Sequence, residues 1–175
     1  MKIELEDAIY DSKLELIQVE ITGCCNMHCK HCRAAEQPKK MINKNQMIKI
    51  FDFANLVKSD NFKFTFSGGE PFMNPNLYEY LLLAKEKGID QIVITTNASL
   101  ITDDILEKLN SLNLSFLCIQ ISIDSIYPDV HNAFRKYPNA FEKCEAVLDK
   151  IKKYENINSS IRMTITKDTI NQLIR

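Results

Sequence analysis

Along the chain, segments in which apolar and polar residues have strand-like spacing alternate with segments in which they have helical spacing. Five short segments alternate apolar with polar residues or are rich in β-branched residues, which predicts β-strands at 14–22, 62–66, 91–96, 116–123 and 160–166. Between them, apolar residues recur with helical spacing, which predicts helices at 43–58, 77–87, from about 103, and at 139–154. Strands that alternate with helices imply βαβ units with right-handed crossovers. The pattern therefore predicts an α/β protein with about five parallel strands, without a second domain or linker.

The first of these helices has one apolar face. Asn43 is expected to cap its N terminus. The apolar face carries Met47, Phe51, Ala54 and Val57. The phenylalanines of the periodic segments are expected in the core: Phe51, Phe53, Phe62, Phe64 and Phe66. His131 is expected on the surface of a helix.

Charge and composition narrow the class of protein. The chain has 175 residues, of which 45% are hydrophobic. It contains 22 basic and 23 acidic residues, so it lacks the excess of positive charge that is typical of a nucleic-acid-binding protein. The first twenty residues lack the apolar stretch of a secretory signal. No apolar run approaches the roughly 18 residues of a membrane span. We therefore expect a cytoplasmic protein with neither a nucleic-acid nor a membrane partner.

Six cysteines are distributed unevenly. Cys24, Cys25, Cys29 and Cys32 fall within nine residues, whereas Cys118 and Cys144 stand alone in apolar patterns and are expected to be buried. Cytosolic thiols are kept reduced, so the cluster indicates metal or redox chemistry rather than disulfides.

The spacing C-x3-C-x2-C places three thiolates on a loop just past a predicted strand. A structural zinc site takes four ligands, and a cubane iron–sulfur cluster normally takes one thiolate per iron. Three thiolates would leave one iron open to a small molecule. Taken alone, the spacing could also serve zinc or arise by chance.

The cysteine loop resembles that of the radical S-adenosylmethionine (radical SAM) superfamily. Asn26 after the first cysteine, His31 before the last, and Thr22 upstream match that loop. The resemblance implies that Cys25, Cys29 and Cys32 bind a [4Fe–4S] cluster and that His31 lies beside the cofactors. It makes Cys24 a bystander, because only Cys25 gives the three-residue gap.

Three further segments resemble motifs of the same family. Ser67-Gly68-Gly69-Glu70-Pro71 resembles its glycine-rich motif, in which the backbone and Glu70 would hold the methionyl ammonium and glycines permit close approach. Thr95-Thr96-Asn97 resembles a T-T-N segment, although Ala98 stands where glycine is more usual.

Ser122-Ile123-Asp124 and the downstream Arg135 resemble residues that meet the ribose or carboxylate of the cofactor in relatives. An arginine suits a carboxylate because its guanidinium can bind in bidentate fashion. On a surface helix, Arg135 would otherwise be a solvated charge. The cofactor-binding residues implied by the resemblance are His31, Gly68, Gly69, Glu70, Thr95, Asn97, Ser122, Asp124 and Arg135.

The motifs follow successive predicted strands, and parallel βα architectures build their active sites from those strand ends. The implied fold is a partial (β/α) barrel of the radical SAM type, with helices on the outside. The implied enzyme reductively cleaves S-adenosylmethionine to a 5′-deoxyadenosyl radical, which abstracts hydrogen from a substrate. Flavodoxin or ferredoxin is the reductant expected by family analogy.

The sequence defines the substrate less clearly. Two features resemble those of family members that modify ribosomally made peptides, or that act in haem and cofactor synthesis: the Arg33-Ala34 pair after Cys32 and the spacing of the later motifs. We expect residues 1–175 to form a radical SAM core domain truncated after the fifth strand. A fragment of a longer enzyme is favoured over a short protein completed by a partner. A non-catalytic iron–sulfur or S-adenosylmethionine-binding scaffold is a further alternative.

Overall fold

A computed structural model of the chain describes most of its residues. The described residues are 2–5, 8–11, 13–32, 35–36, 38–167 and 169–170, and for 2–5 and 8–11 only the backbone is described. Arg33 and Ala34, which carried part of the substrate interpretation, lie outside them.

The main sheet has five parallel strands in the order β3-β4-β5-β6-β7. These are β3 (Leu14–Thr22), β4 (Lys58–Gly68), β5 (Gln91–Thr96), β6 (Phe116–Ser122) and β7 (Asn158–Arg162). Each strand pairs with the next in sequence. In the part of the chain that the structure describes, β3 and β7 are the two edges and the sheet does not close. The predicted partial barrel with about five parallel strands is confirmed.

The connections between the strands contain the helices. These are α1 (Lys44–Val57), α2 (Leu77–Glu86), α3 (Asp103–Ser111), α4 (Pro128–Arg135) and α5 (Ala140–Ile151). As predicted, Asn43 caps α1: its side chain accepts a hydrogen bond from the Gln46 backbone, and the Gln46 side chain accepts one from the Asn43 backbone. The structure adds α4, for which no bounds were predicted. No helix of the described residues is both long and apolar enough to cross a bilayer.

The core lies between the sheet and the helices. The predicted apolar face of α1 is the face that is buried. Phe51 from α1 meets Phe64 and Phe66 from β4, with ring centroids 5.0 and 6.4 Å away. Phe53 was predicted wrongly, since it is 52% exposed. Two residues after Phe51, it is rotated by about 200° around the helix axis and points away from the sheet.

Strand pairing adds two strands to the prediction and shifts the last one. An antiparallel hairpin of β1 (Lys2–Leu5) and β2 (Ala8–Asp11) precedes the main sheet and was not predicted. The last strand was predicted at 160–166 but runs over Asn158–Arg162, because its register follows β6, with Cys118 opposite Asn158 and Ser122 opposite Arg162. The alternating sequence continues beyond the point where this pairing ends.

Candidate active site

A cavity of about 380 Å³ lies at the carboxyl ends of the parallel strands. Every predicted site residue except Glu70 and Asp124 lines it, namely Cys25, Cys29, His31, Cys32, Gly68, Gly69, Thr95, Asn97, Ser122 and Arg135. Parallel strands end at the same edge of a sheet, so the segments after β3, β4, β5 and β6 meet there. The structure therefore brings four separate sequence motifs to one cavity.

Backbone contacts close the base of the loop that carries the cysteines. The Gly23 N–H donates to the Lys40 carbonyl at 2.8 Å, and Thr22 forms an antiparallel bridge with Met41. The two ends of the loop are thus held together by backbone contacts.

The glycine-rich segment is joined to the start of this loop. The Gly69 N–H donates to the Thr22 carbonyl at 2.7 Å, and the Glu70 N–H donates to the Cys24 carbonyl at 2.8 Å. A Cβ on Gly69 would lie 2.1 Å from the Cys24 oxygen, and one on Gly68 would lie 2.3 Å from the Thr22 oxygen. Gly68 also has φ of +134°, which side chains rarely adopt. Both glycines are therefore required for contact with the cysteine loop, in addition to lining the cavity.

Glu70 is fully buried behind the cavity wall. One carboxylate oxygen accepts from the Thr96 hydroxyl at 2.8 Å and the Phe72 N–H at 3.2 Å, while the other accepts from the Asn97 N–H at 2.8 Å. Burial raises the pKa of Glu70, and these three donors oppose that shift. The carboxylate thus ties the end of β5 to the segment after β4, and it does not line the cavity.

Asn97 connects this wall to the first cysteine. Its side-chain amide donates to the Asn26 oxygen at 3.0 Å and contacts the Cys25 sulfur at 3.9 Å, and Asn26 donates to the Ser99 hydroxyl at 2.8 Å. Ala98 has φ of 64°, in the left-handed region that favours glycine. This explains why glycine is more usual at that position. The amide pair holds the first half of the cysteine loop against the end of β5.

Arg135 reaches the second cysteine from the end of α4. Its guanidinium donates to the Cys29 sulfur at 3.7 Å, and its Nε lies 2.7 Å from an Asp124 carboxylate oxygen as a close ion pair. Arg135 is 8% exposed and Asp124 is fully buried. The interpretation of Arg135 as a solvated surface charge is therefore wrong. Asp124 lies behind Arg135 rather than on the cavity wall.

The rest of α4 also contacts the cysteine loop. The Lys30 N–H donates to the Phe134 carbonyl at 2.9 Å, and the His31 ring stacks on Phe134 with centroids 4.6 Å apart. His131, predicted on a helix surface, is 1% exposed. It faces inward because its Nδ1 accepts the Asp124 N–H at 3.1 Å. Burial lowers the pKa of His131 to about 4, with the Arg135 charge acting in the same direction.

The thiols of the loop differ in their surroundings. Burial raises the pKa of Cys25 and of Cys29, and for Cys29 the Arg135 charge and hydrogen bond oppose that shift. Cys24 does not line the cavity, and its sulfur contacts the Lys39 carbonyl at 3.7 Å. Among the described residues, no three His, Cys, Asp or Glu side chains are grouped to hold a single metal ion. A cubane cluster has a different requirement, since each thiolate binds its own iron.

Several cavity residues were missed by the sequence analysis. Gln18 and Glu20 face the cavity from β3, and Arg162 and Thr164 line it from β7 and the segment after it. The signal for the first two was present, because they occupy alternate polar positions of a predicted strand. The other two could not be found without the register of β7 against β6.

A family model described as the radical SAM superfamily matches residues 19–175. The chain belongs to the radical SAM superfamily. The family predicted from the cysteine loop and the strand-end motifs is thereby confirmed, and with it the family's cofactors, a [4Fe–4S] cluster and S-adenosylmethionine.

Relatives of this radical SAM chain are named for different biosynthetic products. The chain is 29% identical over 161 residues to the AdoMet-dependent heme synthase of Methanosarcina barkeri, covering 91% of this chain and 45% of that protein. It is 28% identical over 131 residues to the antilisterial bacteriocin subtilosin biosynthesis protein AlbA of Bacillus subtilis, covering 73% of this chain and 28% of that protein. The heme synthase is an enzyme, in agreement with the prediction of an enzyme.

A solved structure shares the fold of this radical SAM chain. Native anSMEcpe with bound AdoMet and Cp18Cys peptide superposes with a TM-score of 0.71 at 20% sequence identity, covering 90% of this chain and 45% of that chain. The chain thus spans less than half the length of these relatives and of this structure.

The residues of the cavity fit the cofactors of the radical SAM family. Three thiols line the cavity, and N–H donors of Asn97 and Arg135 point at two of the sulfurs, where they would stabilise thiolates. The Ser122 hydroxyl and the Arg135 guanidinium line the same cavity and suit an amino-acid carboxylate.

Proposed function

We propose that this chain binds a [4Fe–4S] cluster through Cys25, Cys29 and Cys32, and binds S-adenosylmethionine in the adjoining cavity to initiate radical chemistry. The observation that carries this proposal is the convergence of four strand-end segments on one cavity that all three thiols line. When bound and reduced, these cofactors supply a 5′-deoxyadenosyl radical that abstracts hydrogen from a substrate. Flavodoxin or ferredoxin is proposed as the source of the electron.

The chain's own residues would position the cofactors. Asn97 and Arg135 donate toward the Cys25 and Cys29 sulfurs and keep both side chains directed into the cavity. The backbone of Gly68 and Gly69 and the Ser122 hydroxyl offer polar groups to S-adenosylmethionine along the wall. The Thr95 hydroxyl donates to Gln120 at 3.1 Å and can still accept a hydrogen bond there. The His31 ring also lines the cavity.

Two predicted cofactor ligands are better assigned as positioning residues. Both oxygens of Glu70 are occupied by three donors of the protein, and Asp124 holds Arg135 and the Thr164 N–H. Each carboxylate is fully buried. We propose that Glu70 sets the shape of the wall and that Asp124 sets the direction of Arg135.

We propose a peptide as the substrate class. Apart from the His31 ring, the described residues that line the cavity carry polar side chains, cysteine or no side chain, and they include Glu20 and Arg162 on the two edge strands. Amide groups of a peptide can hydrogen-bond to such a wall. AlbA, which is named for bacteriocin biosynthesis, and a peptide-bound structure of the same fold support this choice.

Haem synthesis is the second candidate, because a heme synthase is matched over 91% of this chain. Besides the His31 ring, the described lining residues include no large apolar side chain, so they offer the broad face of a tetrapyrrole few stacking partners. Deuterium transfer separates the candidates: a deuterated peptide mixture and a deuterated iron porphyrin are supplied in separate reactions, and label is measured in 5′-deoxyadenosine. Label from the porphyrin alone would reject the peptide proposal.

Cofactor cleavage is tested first. The 175-residue chain is reconstituted anaerobically with iron and sulfide, reduced with dithionite, and supplied with S-adenosylmethionine; 5′-deoxyadenosine is then measured by chromatography. We expect the cluster and the product in the wild type and in Cys24→Ala, and neither in Cys29→Ala. Zinc in place of iron would reject the radical proposal. A cluster that binds S-adenosylmethionine without cleaving it would instead identify a non-catalytic scaffold.

A further inference from the structure

We propose that Arg135, held in place by Asp124, donates a charge-assisted hydrogen bond to the Cys29 sulfur and thereby raises the reduction potential of the cluster. This inference rests on the proposed function, because it requires Cys29 to be a cluster ligand. It assigns to Arg135 a role toward the cluster that is separate from any contact with S-adenosylmethionine.

The first support is the contact itself. A terminal guanidinium nitrogen lies 3.7 Å from the Cys29 sulfur and is oriented as a donor. Arg135 is 8% exposed, so solvent does little to screen its charge. The positive charge therefore acts on the sulfur at close range. The Asp124 carboxylate opposes it, but the effect of Arg135 on Cys29 is the larger of the two.

The second support is the way the guanidinium is fixed. Its Nε lies 2.7 Å from one oxygen of Asp124, which leaves a terminal nitrogen to reach the sulfur. The other Asp124 oxygen accepts the Thr164 N–H at 3.0 Å, and the Asp124 N–H donates to His131 at 3.1 Å. The carboxylate is therefore immobilised by contacts with the segment after β7 and with α4.

The third support is the docking of α4 on the cysteine loop. The Lys30 N–H binds the Phe134 carbonyl at 2.9 Å, and His31 stacks on the Phe134 ring. Phe134 is next to Arg135 in the sequence, Lys30 is next to Cys29, and His31 is two positions from Cys29. The packing of the two elements thus fixes the backbones of Arg135 and Cys29 relative to each other, and Asp124 fixes the guanidinium.

The expected effect follows from charge. Hydrogen bonds to the ligand sulfurs and the net charge near a cluster are among the determinants of its reduction potential. Reduction adds one negative charge to the cluster. A cationic donor at a ligand sulfur stabilises the reduced form more than the oxidised form, so its removal makes the potential more negative.

The test is an EPR-monitored redox titration of the reconstituted chain without S-adenosylmethionine. Arg135→Gln removes the charge and is expected to shift the midpoint to more negative values. Arg135→Lys keeps the charge for Asp124 but lacks a second nitrogen, and is expected to shift the midpoint in the same direction by less. Arg162→Gln is the matched control, because Arg162 lines the same cavity and no described contact joins it to a cysteine sulfur.

The outcomes separate this inference from the proposed function. If the wild type takes up no cluster, the proposed function fails. If clusters form and Arg135→Lys keeps the wild-type midpoint, the hydrogen bond has no role and the inference is overturned. An equal shift in Arg162→Gln would also overturn it, since any cavity charge would then suffice. Because Arg135→Lys retains a cation beside Asp124, this variant remains informative should Arg135→Gln fail to fold.

The role of Asp124 is tested by combining substitutions. If Asp124 acts through Arg135, the midpoint shifts of Asp124→Asn and Arg135→Gln are non-additive in the double variant. Additive shifts would show that Asp124 acts on the cluster independently and would remove it as a positioning residue.

Discussion

Acidification should destabilise the chain through His131. In the folded protein the pKa of His131 is lowered to about 4, from an ordinary value of 6.5, chiefly because the ring is buried. Because the ring binds its proton more weakly in the folded chain than in the unfolded chain, protonation stabilises the unfolded chain. Stability should therefore be lost as the pH falls from 6.5 toward 4.

The magnitude follows from the two pKa values. At pH 5 the unfolded ring is almost fully protonated and the folded ring is mostly neutral, which lowers the free energy of unfolding by about 2 kcal/mol relative to pH 7. Solvent screens the His131 ring little, because it is 1% exposed.

The measurement is urea unfolding of the cluster-free chain at pH 7 and pH 5, followed by circular dichroism. His131→Asn is the reference, because its side-chain oxygen can accept the Asp124 N–H but does not titrate. The wild type should lose about 2 kcal/mol more than this variant between the two pH values. Equal losses in both proteins would refute the assignment of a buried, neutral His131.

Three other predictions concern the wall and the core. Gly69→Ala places a methyl against the Cys24 carbonyl and should abolish cluster uptake, measured by absorbance after reconstitution, while the secondary structure is retained. Glu70→Gln exchanges an acceptor oxygen for a donor group in a buried site and should cost about 1–3 kcal/mol in urea unfolding. Phe64→Ala should cost about 3–5 kcal/mol, whereas Phe53→Ala on the exposed side of α1 should cost far less; similar costs would contradict the assignment of the core.

Much of the fold could be predicted because it follows from local patterns. The apolar face of α1 was correct to the residue, since helical periodicity alone determines which side chains share a face. Phe53 shows the limit of the same reasoning: an aromatic residue on an amphipathic helix need not lie on its buried side. The end of β7 depended on pairing with β6, and pairing is not encoded in the strand's own alternation.

The candidate site was predictable where its residues belong to compact motifs. Cys25, Cys29 and Cys32 have a fixed spacing within one loop, Gly68 belongs to a short glycine motif at the end of β4, and all four line the cavity. The roles of Glu70 and Asp124 could not be inferred in this way, because their partners come from other strand ends. A carboxylate next to a glycine motif looks the same in sequence whether it faces a ligand or holds a neighbouring strand. The burial of His131 likewise required the contact with Asp124.

The closed base of the cysteine loop has a consequence for cluster assembly. Gly23 and Lys40 are joined by a backbone hydrogen bond, so folding of the polypeptide already brings the two ends of the loop together. The entropy of loop closure, which grows only with the logarithm of loop length, is therefore lost during folding and not when iron is bound. Iron and sulfide would meet a chelating loop whose ends are preorganised, in contrast to small zinc domains that fold only around their metal.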